Sequence, residues 1–268
     1  MSKLYLGENG VPSKKLFFAS AVLFVLVGLP LISSVGASSE MWCKTYGGTG
    51  VDSAYSLVET SNGGYALAGY TRSFSVRLDD FWLVKTDQYG NVEWNQTYGG
   101  APSTMSTTYS LVETSDGGYA MAGSIATPYG VAYYVDYLYD FWLIKTDQYG
   151  NVEWNQTYNR AERDVARSLV ETSDVGYAIA GGRLIVKTDA YGNMEWNQTS
   201  PRSIRSLVET SDRGYAIAGT TNDDFWLAKT DEHGVIPEFP SWTIMPLLLV
   251  VTLVAVLSKQ RLPKKPCN

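Results

Sequence analysis

The sequence predicts an all-β fold built from repeated sheets, and three observations lead to this prediction. Four tryptophans, Trp42, Trp94, Trp154 and Trp196, begin similar segments at spacings of 52, 60 and 42 residues. The segments are rich in Val, Thr, Tyr and Trp, which favour strands. None of them has the 3.6-residue apolar period of a helix. Short strands in repeats of this length predict a four-bladed β-propeller.

Each repeat is predicted to contain four short strands joined by tight turns. The strands have the sequences Trp-Asn-Gln-Thr-Tyr, Ser-Leu-Val-Glu-Thr, Gly-Tyr-Ala-x-Ala-Gly and Phe-Trp-Leu-Val-Lys-Thr, or close variants. The turns at 61–64 and 115–118 contain Asn-Gly or Asp-Gly, which accept the positive φ of hairpin turns. A second turn begins at Asp87 and recurs at Asp147 and Asp189. Consecutive hairpins of this kind predict one four-stranded antiparallel sheet per repeat.

The predicted strands are apolar on both faces, which argues against a two-layer sandwich. Sandwich strands alternate apolar and polar residues because one face meets solvent. Here Leu57 and Val58, the segment 66–68 and the segment 82–84 contain consecutive apolar residues. Sheets that lie between two neighbouring sheets, as blades do around a propeller axis, need this composition.

The repeats are out of step with the ends of the chain. The first strand, 42–46, has no sheet of its own, and the last strand, 225–230, lacks an outer partner. We therefore expect the N-terminal strand to close the last blade, which removes both free sheet edges. An open stack of sheets, or two chains that share an eight-bladed ring, is compatible with the same sequence.

The N-terminal end predicts an export signal. A Lys-Lys pair at 14–15 precedes an apolar run over 16–32, and small residues follow at 35–37. This order is typical of a secretory signal peptide. Residues 1–37 are therefore predicted to be a signal peptide or, because the apolar run is long, an uncleaved signal anchor. Residues 38–234 then form the propeller.

The C-terminal end predicts a membrane anchor. A linker over 235–241 leads to an uncharged apolar segment, 242–258, and then to a basic tail, 259–268. About 20 apolar residues span a bilayer, and the flanking Trp242 and Lys259 extend a slightly shorter segment. Because basic residues favour the cytoplasmic side, the tail is expected in the cytoplasm and the repeats outside.

Charge and cysteine content exclude several functional classes. Between residues 38 and 240 the chain has 26 Asp and Glu against 14 Lys and Arg. Because nucleic acid phosphates require a basic surface, nucleic acid is not an expected partner. Cys43 is predicted to lie outside the membrane and Cys267 inside, so these two residues form neither an intrachain disulfide nor a zinc site.

Two stretches resemble known families. The turn sequence Asp-x-x-Gly-Asn-x-x-Trp is similar to the Asp-box hairpin of sialidase-type propellers, in which the Asp is structural. Together with the strands around it, over 42–234, it resembles repeats of archaeal and bacterial surface β-propellers. The C-terminal end resembles the PEF-CTERM class of archaeal sorting signals, through Pro237, Glu238, Phe239 and Pro240 and the segments that follow. This resemblance implies cleavage by an archaeosortase and transfer to a lipid anchor; without cleavage the segment stays a transmembrane helix.

Candidate binding residues lie in the connections that differ between repeats. Alternating strand direction places these connections on one face, and variable loops on a rigid scaffold commonly bind ligands. The longest connection, 124–140, carries five tyrosines, which suit sugar or protein recognition. Alternatively, this loop folds over its own blade and buries the rings. The five residues are Tyr129, Tyr133, Tyr134, Tyr137 and Tyr139.

Catalysis is not expected from this sequence. His233 is the single histidine and lies beside the predicted linker. This position excludes a Ser-His-Asp triad and a multi-histidine metal site within the repeats. Two carboxylate pairs lie on the variable face, Asp79 with Asp80 and Asp223 with Asp224. They are solvated loop charges, or they bind a ligand or Ca²⁺, or they serve a glycan-cleaving enzyme, which is the alternative function.

Three Asn-Gln-Thr triplets, at Asn95, Asn155 and Asn197, are glycosylation sequons on a chain predicted to be exported. Copying of the repeat would also produce identical triplets. The sequence as a whole predicts a surface-anchored protein that binds polysaccharide or another surface protein, or that has a structural role in the envelope. No cofactor other than Ca²⁺ is expected, and the oligomeric state is left open.

Overall fold

The computed structural model describes residues 41–75, 78–99, 104–131, 134–158, 165–221 and 224–237, which form strands and turns without helices. Within these ranges the strands are β1 (Asp52–Glu59), β2 (Tyr65–Thr71), β3 (Asp80–Thr86), β4 (Val92–Tyr98), β5 (Met105–Glu113), β6 (Tyr119–Val131), β7 (Tyr134–Thr146), β8 (Val152–Tyr158), β9 (Ser168–Glu171), β10 (Tyr177–Thr188), β11 (Met194–Glu209), β12 (Tyr215–Thr221) and β13 (Asp224–Lys229). The prediction of an all-β fold is confirmed.

The strands form three antiparallel sheets. Two sheets have four strands each, in the orders β1-β2-β3-β4 and β5-β6-β7-β8, and the third has the order β13-β12-β11-β10-β9. Four separate sheets were expected, one for each repeat. The third and fourth repeats instead share one sheet, because β11 continues through 200–206, the connection between two of the predicted strands. Its first half pairs with β10 and its second half with β12.

Apolar side chains of neighbouring repeats pack between the sheets. Phe81 and Leu83 of the first repeat form one buried cluster with Trp142 and Ile144 of the second. The Phe81 and Trp142 ring centroids are 4.6 Å apart. Equivalent clusters lie between the second and third repeats and between the third and fourth. The sheets of the inner repeats are therefore buried on both faces, as the sequence predicts.

The outer strands of the first three repeats contact the repeat that follows. The Trp94 ring meets Tyr119 edge-on, with ring centroids 5.8 Å apart. The Tyr98 hydroxyl donates to the carbonyl oxygen of Gly150 at 2.8 Å. The same hydroxyl contact recurs one repeat later, from Tyr158.

The N-terminal segment 42–46 lies on the first sheet and does not pair with the last. The Trp42 ring meets Tyr65 edge-on, with centroids 5.8 Å apart, and the Tyr46 hydroxyl donates to the Gly90 carbonyl at 2.8 Å. These contacts match those of an outer strand on the next repeat. In the described part of the chain, β13 pairs only with β12. Among the described residues the expected closure of the last blade is therefore not formed, because no strand pairs with the free edge of β13.

A buried lysine in each inner repeat joins the two recurring turns. Lys145 donates to Asp116 at 2.8 Å, to Glu153 at 2.8 Å and to the Thr146 carbonyl at 2.9 Å. Asp116 belongs to the turn after β5, and Thr146 precedes the turn that begins at Asp147. Both turns therefore lie at one end of the sheets, and the variable connections lie at the other.

The described ranges contain no helix with the length and hydropathy of a membrane-spanning segment. The predicted export signal, 1–37, and the predicted membrane segment and tail, 242–268, lie outside the described residues. The same holds for 238–241, which includes three of the four sorting-motif residues.

Candidate functional site

A β-bulge recurs in the first strand of the repeats. The pairing register shifts across Tyr55 in β1, across Tyr109 in β5 and across Arg205 in β11. Arg167 has the same place in the third repeat, directly before β9. Each of these residues precedes a Ser-Leu-Val-Glu sequence. Because a bulged residue has no cross-strand partner, the direction of its side chain does not follow the alternation of the regular ladder.

Glycines opposite the bulges make this geometry possible. A Cβ added at Gly69 would lie 1.8 Å from the carbonyl oxygen of Ser53. The corresponding distances at Gly123, Gly181 and Gly219 are 2.0, 1.9 and 1.9 Å to equivalent carbonyl oxygens. No side chain fits at these distances, so the close approach of the bulged strand requires glycine in each Ala-x-Ala-Gly sequence.

Both tyrosines at bulge positions, Tyr55 and Tyr109, take part in a surface cluster. The Tyr55 ring centroid is 5.2 Å from that of Tyr109 and 6.0 Å from that of Tyr70. The Arg167 guanidinium lies over the Tyr109 ring at 5.4 Å, and that of Arg72 lies over Tyr70 at 5.9 Å. These distances are within the ranges of aromatic and cation–π contacts. We refer to these five residues as the tyrosine–arginine cluster.

The cluster presents the Tyr109 hydroxyl beside an accessible cation. Burial raises the pKa of Tyr109; the positive charge of Arg167 lowers it by less, while Tyr55, Tyr139 and Asp79 raise it further. The Tyr109 hydroxyl therefore remains protonated and can donate a hydrogen bond. Tyr55 and Arg167 are exposed. Aromatic rings beside a guanidinium suit a ligand with flat apolar faces and carboxylate groups.

Two of the residues that the sequence predicted lie at the edge of this cluster. Asp79 forms an ion pair with Arg72, and its carbonyl oxygen accepts from the Ser106 N–H at 2.7 Å. Tyr139 lies in β7 and is among the residues that raise the pKa of Tyr109. Asp79 therefore acts mainly by holding Arg72, and it is not a bare solvated carboxylate.

The predicted loop 124–140 is a β-hairpin. β6 and β7 pair continuously from Ile125 with Asp140 to Val131 with Tyr134. The prediction of a loop was wrong because the β-prone residues of this segment extend both strands beyond the sheet.

The remaining tyrosines of this segment belong to the same hairpin or lie outside the description. Tyr137 is half-buried, and its N–H donates to the Asp136 carboxylate at 2.8 Å. Tyr129 and Tyr134 belong to the strands, but their side chains lie outside the description, as does all of Tyr133.

The carboxylate pairs do not form a metal centre among the described residues. Asp80 begins β3 and Asp224 begins β13, while Asp223 lies outside the described residues. In the part of the chain that the structure covers, no group of three or more His, Cys, Asp or Glu side chains could hold a metal ion. The expectation of Ca²⁺ remains a prediction.

The sequon asparagines lie on the outer strands. Asn95 and Asn155 are exposed, and each accepts a hydrogen bond at 3.2 Å from a tryptophan indole, of Trp82 and Trp142 respectively. These bonds use the side-chain oxygen and do not involve the amide nitrogen that would carry a glycan. Asn197 is half-buried, and its amide donates to the Met194 sulfur at 3.3 Å.

Sequence reasoning missed the tyrosine–arginine cluster. The signal was the residue before each Ser-Leu-Val-Glu sequence, which is Tyr, Tyr, Arg and Arg along the chain. Strand alternation alone would place this residue on one face of a regular sheet. It does not indicate the bulge that removes the residue from the ladder.

Comparisons with known proteins show no family. Neither a protein-family model nor a curated protein matches the sequence. A solved structure of a protein of unknown function from Bacteroides caccae is similar at 11% identity and a TM-score of 0.47; the match covers 69% of this chain and 59% of that one. The chain thus spans less than two thirds of that protein. Sqt1 from Chaetomium thermophilum is similar at 11% identity and a TM-score of 0.33, over 70% of this chain and 71% of that one.

Proposed function

We propose that the chain is a surface-anchored binding protein whose repeats are blades of a propeller-type fold. Its ligand on this proposal is a polysaccharide that carries carboxylate groups, bound at the tyrosine–arginine cluster. The observation that carries the proposal is the exposed Tyr55 ring beside the Arg167 guanidinium, which is bridged to it by Tyr109. Rings of this kind pack against sugar faces, and a guanidinium binds a carboxylate with two parallel hydrogen bonds.

The charge of the chain supports a local and selective site. The repeats carry an excess of acidic residues, which repel a carboxylated polymer over most of the surface. Within the described residues, Arg167 has no carboxylate partner, whereas Arg72 is paired with Asp79. Arg167 is therefore the cation that is available to a ligand, and Arg72 positions Tyr70.

Location at the cell surface is part of the same proposal. The basic and apolar segments at both ends support export and anchoring, by a transmembrane helix or by a lipid after cleavage at the sorting motif. The exposure of Asn95 and Asn155 supports modification of the sequons. The intact mass of the protein from its native membrane tests these points together, because cleavage lowers the mass and each glycan raises it.

The binding site is tested by calorimetry with defined oligosaccharides. We expect an oligomer of a uronic acid to bind the full chain in detergent, and the Arg167→Ala substitution to weaken binding about tenfold, as loss of one charged contact implies. The Arg213→Gln substitution removes an exposed cation from a turn at the other end of the sheets and is the matched control. Tyr55→Ala should weaken binding of neutral and acidic oligomers alike.

Two results would contradict the proposal. Equal weakening by the Arg167 and Arg213 variants would show that binding depends on net charge and not on the cluster. Release of reducing ends during incubation, abolished by Asp223→Asn, would favour the glycan-cleaving alternative.

A further inference from the structure

Neighbouring repeats are joined by a hydrogen-bonded pair that occurs three times. The N–H and hydroxyl of Ser61 donate to the Glu113 carboxylate of the next repeat at 2.8 and 2.9 Å. The same bonds join Ser115 to Glu171 and Ser173 to Glu209. At each end of the series, one residue of the pair is present without its partner. In the described part of the chain, Glu59 of the first repeat and Ser211 of the last repeat have no such partner.

A second contact between repeats follows the same series. The Leu111 N–H donates to the Ser56 hydroxyl of the preceding repeat at 3.1 Å. Equivalent bonds run from Leu169 to Ser110 and from Leu207 to Ser168, at 3.1 and 3.0 Å. At both ends of this series, one group again lacks its partner. Leu57 has no preceding serine, and the Ser206 hydroxyl has no following leucine among the residues described.

The apolar contacts between repeats end in the same way. Leu57 is 61% exposed, although its equivalents Leu111, Leu169 and Leu207 are at most 3% exposed. On the last repeat, Phe225 and Leu227 are 95% and 77% exposed, although the equivalent residues of the first and second repeats are fully buried. The first and last repeats therefore expose the two halves of one kind of interface.

The strand that is missing at one end is present at the other. The segment 42–46 packs on the first sheet in the same way as the outer strand 94–98 packs on the second. The strand 94–98 also pairs within its own sheet, whereas 42–46 has no sheet of its own in the described chain. The last sheet ends at β13, which has no outer strand in the described chain. The buried clusters place the repeats in the order first, second, third, fourth, so these two features lie at opposite ends of the stack.

We propose that the two ends bind each other between two copies of this chain. The front surface, formed by segment 42–46, Leu57 and Glu59, binds the back surface of another copy, formed by Ser206, Ser211 and the exposed side of β13. Segment 42–46 becomes the outer strand of the other copy's last sheet. This head-to-tail interface repeats the three interfaces within the chain, and it is independent of the identity of any ligand.

The repeats also give the register of the new strand pair. In the first and second sheets the outer tryptophan pairs with the buried lysine, as Trp94 does with Lys85. The following residue of the outer strand pairs with the residue before that lysine. By the same register, Trp42 of one copy pairs with Lys229 of the other, and Cys43 with Ala228. Residues paired across antiparallel strands have Cα atoms about 4.5–5.5 Å apart, within disulfide range.

Disulfide trapping tests this register in the full chain in detergent micelles. The Ala228→Cys substitution is made in a Cys267→Ser background, so that Cys43 and the new thiol are the only two. We expect oxidation to give disulfide-linked dimers or longer oligomers on non-reducing gels. A further Cys43→Ser substitution should abolish them. Tyr191→Cys, at an exposed turn away from both end surfaces, is the control for random collision.

The other outcomes overturn the proposal. A disulfide within single chains, seen as loss of both thiols without a change in chain number, would show that the chain closes on itself. Two free thiols after oxidation would show that the strands do not meet.

A second substitution tests the interface without cysteine chemistry. Because Phe225 is 95% exposed in the single chain, Phe225→Asp should leave the fold intact. We expect it to raise the dissociation constant of the assembly about 30-fold or more, as loss of a central interface residue does. Light scattering, with the detergent contribution subtracted, should give the mass of one chain for this variant and at least two for the unaltered protein. Tyr191→Asp is the control, and equal masses for the unaltered protein and the Phe225 variant would refute the interface.

Discussion

Replacement of the buried Lys145 by methionine should destabilise the second repeat far more than the same change at Lys229. The Lys145 side chain is 4% exposed, whereas that of Lys229 is 49% exposed. Both lysines bind an aspartate of the turn and the carbonyl of the following threonine. The two substitutions therefore remove similar bonds from environments that differ in burial. Methionine keeps the apolar stem in both.

The magnitude follows from the partners. Loss of a charged hydrogen bond costs about 1.5–3 kcal/mol when the partner stays buried. The Asp116 and Glu153 side chains are 57% and 46% exposed, so water can replace the hydrogen bond that each carboxylate loses. Each of these two bonds is therefore worth about 1 kcal/mol or less. The buried Thr146 carbonyl adds about 1 kcal/mol. We expect Lys145→Met to cost about 2–3 kcal/mol and Lys229→Met less than about 1 kcal/mol.

Urea unfolding followed by tryptophan fluorescence measures both losses. The free energy of unfolding is compared for the full chain and the two variants under the same detergent conditions. Equal losses would refute the reasoning, because they would mean that burial of the lysine does not matter. A more stable Lys145 variant would also refute it, since this result is known where an ion pair costs more in desolvation than it returns.

Three further changes test other contacts. Tyr158→Phe removes a buried hydroxyl that donates at 2.8 Å and should cost about 1 kcal/mol in urea unfolding, whereas Tyr149→Phe at an exposed ring should cost nothing measurable. Gly123→Ala places a Cβ 2.0 Å from a carbonyl oxygen and should cost more than about 3 kcal/mol, whereas Gly117→Ala meets no atom within 4 Å and carries only the strain of φ +83, about 1 kcal/mol. Burial raises the pKa of Asp52, but hydrogen bonds from its loop outweigh burial and hold it at about 2. Its contribution to stability is therefore present above about pH 4 and lost as the pH falls towards 2, and Asp52→Asn should lack this part of an acid titration followed by fluorescence.

The strands and turns could be predicted because their signals are local. The glycine of the Asp-Gly turn, Gly117, has φ +83, as the turn type requires. The apolar residues on both strand faces predicted burial between sheets, and Phe81 and Leu83 are fully buried there. Each of these features depends on residues within one or two strands.

The candidate site could not be predicted because its geometry is not local. Tyr55 and Tyr109 are 54 residues apart in the chain, and their contact depends on bulges in β1 and β5 that no turn signal marks. The pairing of Arg72 with Asp79 joins residues near the two ends of the connection between β2 and β3, and no motif in the sequence marks it. Alternation assigns residues to faces only where the ladder is regular.

The exposed ends of the stack indicate which assembly is favoured. Repeat arrays usually end in polar surfaces, whereas this chain exposes Phe225 and Leu227 at one end and Leu57 at the other. Burying three such side chains stabilises an interface by about 5–8 kcal/mol. Loss of rigid-body freedom opposes association by about 4–15 kcal/mol, so one junction is marginal before its hydrogen bonds are added. Two chains that close a ring form two junctions and lose that freedom once. A closed pair is therefore favoured over an open filament where the rotation at the junction allows two copies to close a ring. Oxidation of the Ala228→Cys chain distinguishes the two assemblies, because a closed pair gives a discrete dimer with both disulfides formed and a filament gives a ladder of longer oligomers.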